Sequence, residues 1–120
     1  MTKRILIVDD DSDILEILSY ILFEAGYETK ILPHGETIIN DIEDFKPNLI
    51  VMDVMLAGMD GREICHSLKT NPSTSELPVI LISGTHDLAA SLHLPGAPND
   101  FIAKPFSIDH LLAKIEEHIA

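Results

Sequence analysis

The amino-acid sequence predicts an α/β fold built around a parallel sheet, and three observations carry that expectation. Short β-like runs alternate with helix-like segments from end to end, five of each. The β-like runs are nearly continuous in apolar residues, Ile5-Leu6-Ile7-Val8 and Leu49-Ile50-Val51-Met52 being the clearest, as strands covered on both faces require. Three of them end in chemistry: the first runs into Asp9-Asp10-Asp11, the third into Asp53, and Asp100-Phe101-Ile102-Ala103 into Lys104-Pro105. A parallel sheet delivers the residues at its strand ends into one crevice, so acids distant in sequence meet there.

Strands are expected at about residues 3–8, 27–32, 48–53, 77–82 and 99–103. Tyr27 to Leu32 is the most polar of them and belongs at a sheet edge. The first helix should begin near Ser12 as N-cap and end at Gly26, a favourable C′ residue. Its Ile14, Leu15, Ile17, Leu18, Ile21 and Leu22 cover an arc of about 160°, wider than one sheet contact needs, leaving an edge for neighbouring elements or for a partner. The second helix carries Ile38, Ile39, Ile42 and Phe45 at helical spacing and should stop before Pro47. The third opens at Asp60-Gly61-Arg62-Glu63, where Asp60 can cap and Glu63 can reach back as a capping box. The fourth, His86 to Leu94, is held to about two turns by Pro95-Gly96-Ala97-Pro98. The last runs from Ser107 through Ile108, Leu111, Leu112, Ile115 and Ile119.

At 120 residues the chain suits one domain with a real core. No apolar run approaches the roughly 18 residues of a membrane span, and nothing signal-like follows Met1-Thr2-Lys3-Arg4, so a cytoplasmic, non-membrane protein is expected. Twenty acids against eight basic residues give a net charge of −12, which opposes direct contact with nucleic acid or anionic lipid and favours cations. Cys65 is the single cysteine, which excludes an internal disulfide and reads as a buried structural thiol. His34, His66, His86, His93, His110 and His118 are scattered without metal-binding spacing and read as surface residues.

Asp9, Asp10 and Asp53 should gather at the rim with Ser83 and Lys104. Two carboxylates about 4 Å apart repel by about 4 kcal/mol at an effective dielectric of about 20, so an uncompensated trio raises its own pKa values or destabilises the fold. A divalent cation resolves the conflict, and oxygen-only ligands favour a hard ion that keeps waters, Mg²⁺. A calcium EF-hand loop does not fit, because its required Gly would fall at Ile14 and its bidentate Glu at Tyr20. Alone, Asp9-Asp10-Asp11-Ser12-Asp13 reads as a solvated turn with a helix cap, Lys104 as a surface lysine and Ser83 as a hydroxyl bonding its own backbone. Their recurrence at equivalent strand ends gives the metal reading its weight, with Asp11 left as a solvated flank.

Asp9-Asp10, Asp53, the loop Met55-Leu56-Ala57-Gly58-Met59-Asp60-Gly61, Ser83 and Lys104-Pro105 resemble, in order and over the whole chain, the signature of chemotaxis-regulator-like response-regulator receiver domains. The resemblance implies a doubly wound (βα)5 flavodoxin-like fold, a five-stranded parallel sheet of order 2-1-3-4-5 with helices on both faces. It implies that Asp53 accepts a phosphoryl group from a sensor histidine kinase or histidine phosphotransfer protein. Asp9, Asp10, Asp53 and the Met55 carbonyl would hold Mg²⁺, Ser83 and Lys104 would contact the phosphoryl oxygens, Ser83 and Phe101 would form the switch, and Ile14 would touch the kinase. A downstream protein target or output domain would read the switch, the domain being a monomer or a phosphorylation-dependent dimer. It would be a signalling phosphoacceptor that modifies itself, not an enzyme acting on a metabolite.

Several positions depart from the family pattern. Ala57 replaces a usual proline, while Gly58 and Gly61 remain for unusual backbone angles; Ala97-Pro98 replaces Gly-Ala; and Phe101 lacks the hydroxyl of the commoner tyrosine, leaving a buried strand aromatic an equal reading. Met55 and Thr85 stand where receivers tune dephosphorylation, and neither positions water well, which implies a long-lived phosphorylated form. The competing readings are a Mg²⁺-dependent phosphohydrolase with Asp53 as nucleophile, a nucleotide or flavin binder, and an interaction domain regulated without phosphate. The first lacks an Asp at position 55, and the second lacks a glycine-rich phosphate loop after the first strand.

Overall fold

The structure is a computed structural model that describes residues 2–56, 58–84 and 96–119. In chain order the elements are β1 (Arg4–Val8), α1 (Ser12–Glu24), β2 (Glu28–Leu32), α2 (Ile38–Phe45), β3 (Leu49–Asp53), β4 (Met55–Leu56), β5 (Met59–Asp60), α3 (Gly61–Thr70), β6 (Val79–Ser83), β7 (Asp100–Ala103) and α4 (Ile108–His118). The expected fourth helix, together with Ala57, Thr85 and Pro95, lies outside the described residues.

Five strands form one sheet in the order β2-β1-β3-β6-β7, every neighbouring pair parallel. Counted along this sheet alone, that is the expected 2-1-3-4-5 order, and the polar strand β2 lies at an edge. The chain winds outward from β1 in one direction and then from β3 in the other, so the strand order switches between them, where an open sheet parts to form a crevice. A two-residue antiparallel ladder, β4 with β5, closes the turn after β3 and has no counterpart in the hydrophobic pattern.

Alternation along the strands distributes the core to both faces. Leu6, Val8, Ile50 and Met52 pack with Ile38 of α2 and Ile64, Cys65 and Leu68 of α3. Ile5, Ile7, Leu49 and Val51 pack with Leu15, Leu18 and Leu22 of α1 and Leu111 and Ile115 of α4. The sheet is therefore doubly wound, and β3 and β6 are buried along their whole length.

The helix ends show which local signals won. The N-cap of α1 is Asp11, not Ser12: its carboxylate accepts from the amides of Asp13 and Ile14 at 3.0 and 3.4 Å, so Asp11 is no idle flank. A carboxylate accepts two amides and also suits the positive end of the helix dipole, which a serine hydroxyl matches less well. At the other end Gly26 takes φ +97°, its amide donates to Phe23, and the Tyr27 amide donates to Leu22, the expected glycine closure. α2 stops at Phe45, before Pro47, with Lys46 in the left-handed region at φ 53°. Asp60 caps α3 through the Arg62 amide at 2.9 Å. The Arg62 guanidinium grips the same carboxylate at 2.8 Å, where the capping-box expectation had Glu63 in partnership with this turn. Ser107 caps α4 through the His110 amide at 3.1 Å.

Candidate functional site

The carboxyl ends of β1, β3, β6 and β7 meet at one rim. Asp9 follows β1 directly, and its amide donates to the Leu32 carbonyl at 3.1 Å, which pins the strand end. Asp53 is the last residue of β3, and the Val54 amide donates to Ile82 on β6 at 3.0 Å. Ser83 ends β6, and its carbonyl accepts from the Lys104 amide at 2.8 Å, which places the lysine just beyond β7. The backbone ladder thus sets where each side chain starts.

Asp9, Asp10 and Asp53 each offer a carboxylate oxygen to one point, these atoms all lying within 4.8 Å of one another. Asp9 and Asp53 are buried at 1% and 7% exposure, whereas Asp10 is open to solvent. Lys104 Nζ lies 3.1 Å from Asp53 Oδ2 and 3.8 Å from Asp9 Oδ2, so one ammonium is shared between two buried acids. Asp53 Oδ1 accepts from the Met55 amide at 3.2 Å, and Asp9 Oδ1 from the Asp11 amide at 2.9 Å. Asp9 Oδ2 is buried without a hydrogen-bond partner.

Burial pushes the Asp9 carboxyl up from its ordinary 3.8 to about 6; the Asp11 amide opposes this, Asp53 adds to it, and Lys104 partly offsets it. An orphaned oxygen, three convergent carboxylates and one lysine leave the site short of positive charge. The donor set is all oxygen, with waterside access through exposed Asp10, and it fits a hard divalent cation such as Mg²⁺.

Glycine makes room for this arrangement. A Cβ on Gly61 would collide with the Asp53 carbonyl and the Val54 backbone, so the start of α3 rests directly on the end of β3. The Gly61 amide donates to Val54 at 2.8 Å across that approach. The unusual backbone angle expected at both glycines is present at Gly58, with φ +74°, but Gly61 serves by lacking a side chain.

The other expected residues fall as follows. Met55 opens β4 beside Asp53 with its side chain exposed at 67%. Phe101 is partly buried on β7 and packs on the cluster shared with α2 and α3. Ile14 lines a groove of about 520 Å³ with Ile17, Leu18, Ile21, Pro105 and Phe106, and Lys104 is among its lining residues. Cys65 is buried and reduced, its thiol pushed up to about 11 by burial, as a structural thiol should be. Among the histidines, His118 departs from a plain surface role: its Nε2 lies 2.9 Å from Asp100 Oδ2, which also holds Lys114 Nζ at 3.0 Å. Asp100, Glu117 and His118 could converge on a metal, but Lys114 already supplies the cation.

Asn99 and Lys69 were not singled out by the sequence. Asn99 Oδ1 accepts from the Val79 amide at 3.0 Å and from Lys69 Nζ at 2.9 Å, while Lys69 also donates to the Leu77 carbonyl at 3.2 Å. The only advance signal was an Asn directly before a strand, which is too common to single out.

Solved structures with this architecture define the class. A CheY-like response regulator receiver domain protein from Methanospirillum hungatei superposes with a TM-score of 0.87 at 33% identity, covering 98% of this chain and 93% of that one. The signal receiver domain of a histidine kinase from Syntrophus aciditrophicus gives 0.87 and 33%, covering 97% and 89%. Residues 5–116 match the response regulator receiver domain family, and the chain belongs to it. The DNA-binding response regulator MtrA of Mycolicibacterium paratuberculosis is 30% identical over 120 residues, 99% of this chain and 52% of that protein. The chain thus spans about half the length of the curated relatives it matches. No helix among the described residues is long and apolar enough to cross a membrane.

Proposed function

We propose that this receiver domain accepts a phosphoryl group on Asp53, in a Mg²⁺-dependent transfer from a phosphohistidine on a sensor kinase or phosphotransfer protein, and passes the change to a protein target or an attached output domain. The observation that carries the proposal is the convergence of Asp9, Asp10 and Asp53 with the orphaned Asp9 oxygen: a buried charge deficit that an ion and a phosphoryl group together would complete.

Asp53 is the acid at the end of the central buried strand, and a carboxylate oxygen there would form the new O–P bond as the donor's P–N bond breaks. Asp9, Asp10 and Asp53, with the Met55 carbonyl, are the groups that would hold Mg²⁺. The ion when bound neutralises phosphoryl oxygens as charge develops on them. Lys104, now paired with Asp53, would exchange that partner for a phosphoryl oxygen, and Ser83, which ends the adjoining strand, would bond another. The added charge of about −1.5 to −2 would draw both inward and shift β7, whose Phe101 packs on the cluster shared with α2 and α3. The exposed Met55 side chain carries no acid or amide to orient water at Asp53, which supports a long-lived phosphorylated form. The groove at Ile14, whose lining includes Lys104, supports docking of a kinase or phosphotransfer helix beside the site. The domain modifies itself and turns over no external metabolite.

The test is intact mass spectrometry after exposure to acetyl phosphate with and without Mg²⁺. Wild type should gain one phosphoryl group only with Mg²⁺, and Asp53→Asn should gain none. No adduct on wild type, with beryllofluoride equally silent by fluorine NMR, overturns the proposal in favour of an interaction domain regulated without phosphate. Rapid release of phosphate, unchanged by Met55→Asn, would overturn the lifetime assignment alone.

A further inference from the structure

β2 is the outer strand of the sheet, with β1 its only strand neighbour among the described residues. Toward β1 it uses the Glu28 amide, which donates to Lys3 at 2.9 Å, and the Leu32 carbonyl, which accepts from Asp9 at 3.1 Å. Backbone groups of successive residues point to opposite sides of a strand, so the amides and carbonyls of Thr29 and Ile31, and the Tyr27 carbonyl, face outward. Such an open row is a template for another strand.

Its side chains select the partner. Thr29 and Ile31 lie opposite Ile5 and Ile7, on the α1 side of the sheet. There Ile31 is 46% exposed, and on α1 Tyr20 and Phe23 are 67% and 70% exposed, the two aromatics sharing a surface groove with Thr29. Glu28 and Lys30 occupy the other face of the strand, ion-paired to Arg4 and Asp41 at 2.9 and 3.0 Å. Their side chains are still 52% and 38% exposed, so each can reach a second ligand across the edge.

We propose that β2 is the pairing edge of a two-fold homodimer, in which Thr29 faces Thr29 of a second copy and Glu28 faces Lys30. In this antiparallel register Thr29 exchanges its amide and carbonyl with its counterpart, and the Ile31 amide reaches the Tyr27 carbonyl. The charge pattern picks the register: sliding the two-fold by one residue either way sets Glu28 against Glu28 or Lys30 against Lys30, whereas centring it on Thr29 makes both cross-strand pairs attractive. The same two-fold brings the Tyr20 and Phe23 ridge of α1 toward its own copy, removing exposed aromatic surface from water. A strand with charges arranged only to repel other strands would not be complementary to itself about one residue. The two sheets become one continuous sheet, with both acidic rims left open.

Sedimentation velocity on the full chain tests this, at about 0.15 M salt so that the net charge of −12 is screened. Wild type should show a concentration-dependent monomer–dimer equilibrium. Lys30→Glu and Glu28→Lys should each weaken association at least about tenfold, and an equimolar mixture of the two should recover it, because each variant then meets its complement. Hydrogen exchange on wild type gives a reading that needs no variant: the Thr29 and Ile31 amides should gain protection as concentration rises. Wild type that stays monomeric to about 1 mM, single variants that associate as tightly as wild type, a folded mixture that fails to recover, or concentration-independent exchange at Thr29 each overturn the proposal.

Discussion

Replacing Asp9 by asparagine should stabilise the metal-free protein at neutral pH, although it removes a charge from the centre of the site. Asp9 is 1% exposed, one of its oxygens has no hydrogen-bond partner, and burial raises its pKa from 3.8 to about 6. Below about pH 3.8 the carboxyl is protonated in both folded and unfolded chains and carries no penalty. Between about pH 3.8 and 6 the unfolded chain releases its proton while the folded chain keeps it, so stability falls as pH rises. Above that window the full cost is present, about 3 kcal/mol at about 1.4 kcal/mol for each tenfold change in acidity. Asp9→Asn keeps an acceptor for the Asp11 amide and gives back about 1–2 kcal/mol by burying amide donors, leaving a net gain of about 1–2 kcal/mol. For a chain of this size that is a rise in Tm of about 3–8 °C. The assay is thermal and urea denaturation of both proteins in chelator from about pH 4 to 8, with the difference between them cancelling the groups they share. The gain should appear only at the upper end, and added Mg²⁺ should raise the Tm of wild type and not of the variant. A variant less stable than wild type at pH 8 in chelator, or a difference that does not change with pH, refutes the reasoning.

Gly61→Ala forces a methyl group against the Asp53 carbonyl, so it should slow phosphorylation by acetyl phosphate at least about tenfold while lowering Tm, read by mass spectrometry and calorimetry. Asn99→Ala strands the Val79 amide and should cost about 1–3 kcal/mol in urea denaturation, whereas Asn99→Asp, which keeps the acceptor, should recover most of it. The Cys65 thiol, buried with its pKa pushed up to about 11, should react with a disulfide reagent at pH 8 at least about a hundredfold more slowly in the native protein than in urea.

The strands were legible because burial on both faces leaves an apolar run that few other structures produce, and the acids were legible because they interrupt such runs at corresponding ends. β2 betrayed its edge position by carrying Glu28 and Lys30. What stayed hidden depends on approach between segments remote in sequence. Asp11 rather than Ser12 caps α1, a choice between two good caps settled by where the chain leaves β1. The tie from Asn99 to Val79 and Lys69 joins residues twenty and thirty positions apart, and no local pattern announces it. Gly61 looked like a residue needing a rare backbone angle when its real service is the absence of a side chain against Asp53. His118 meeting Asp100 follows from α4 returning alongside β7.

The Asn99 tie has a mechanical consequence. It clamps the amino-terminal ends of β6 and β7 to each other and to α3, at the end of the sheet opposite Ser83 and Lys104. β6 is laddered to β3 on one side and to β7 on the other, whereas β7 has a strand neighbour on one side only among the described residues, so β7 is the beam and the tie its root. A pull at the rim would load β7 at the end away from the tie, so its displacement would be greatest beside Lys104 and least at Asn99. Cutting the clamp should leave the load intact and let the beam slip, uncoupling the event at the rim from its reach across the surface.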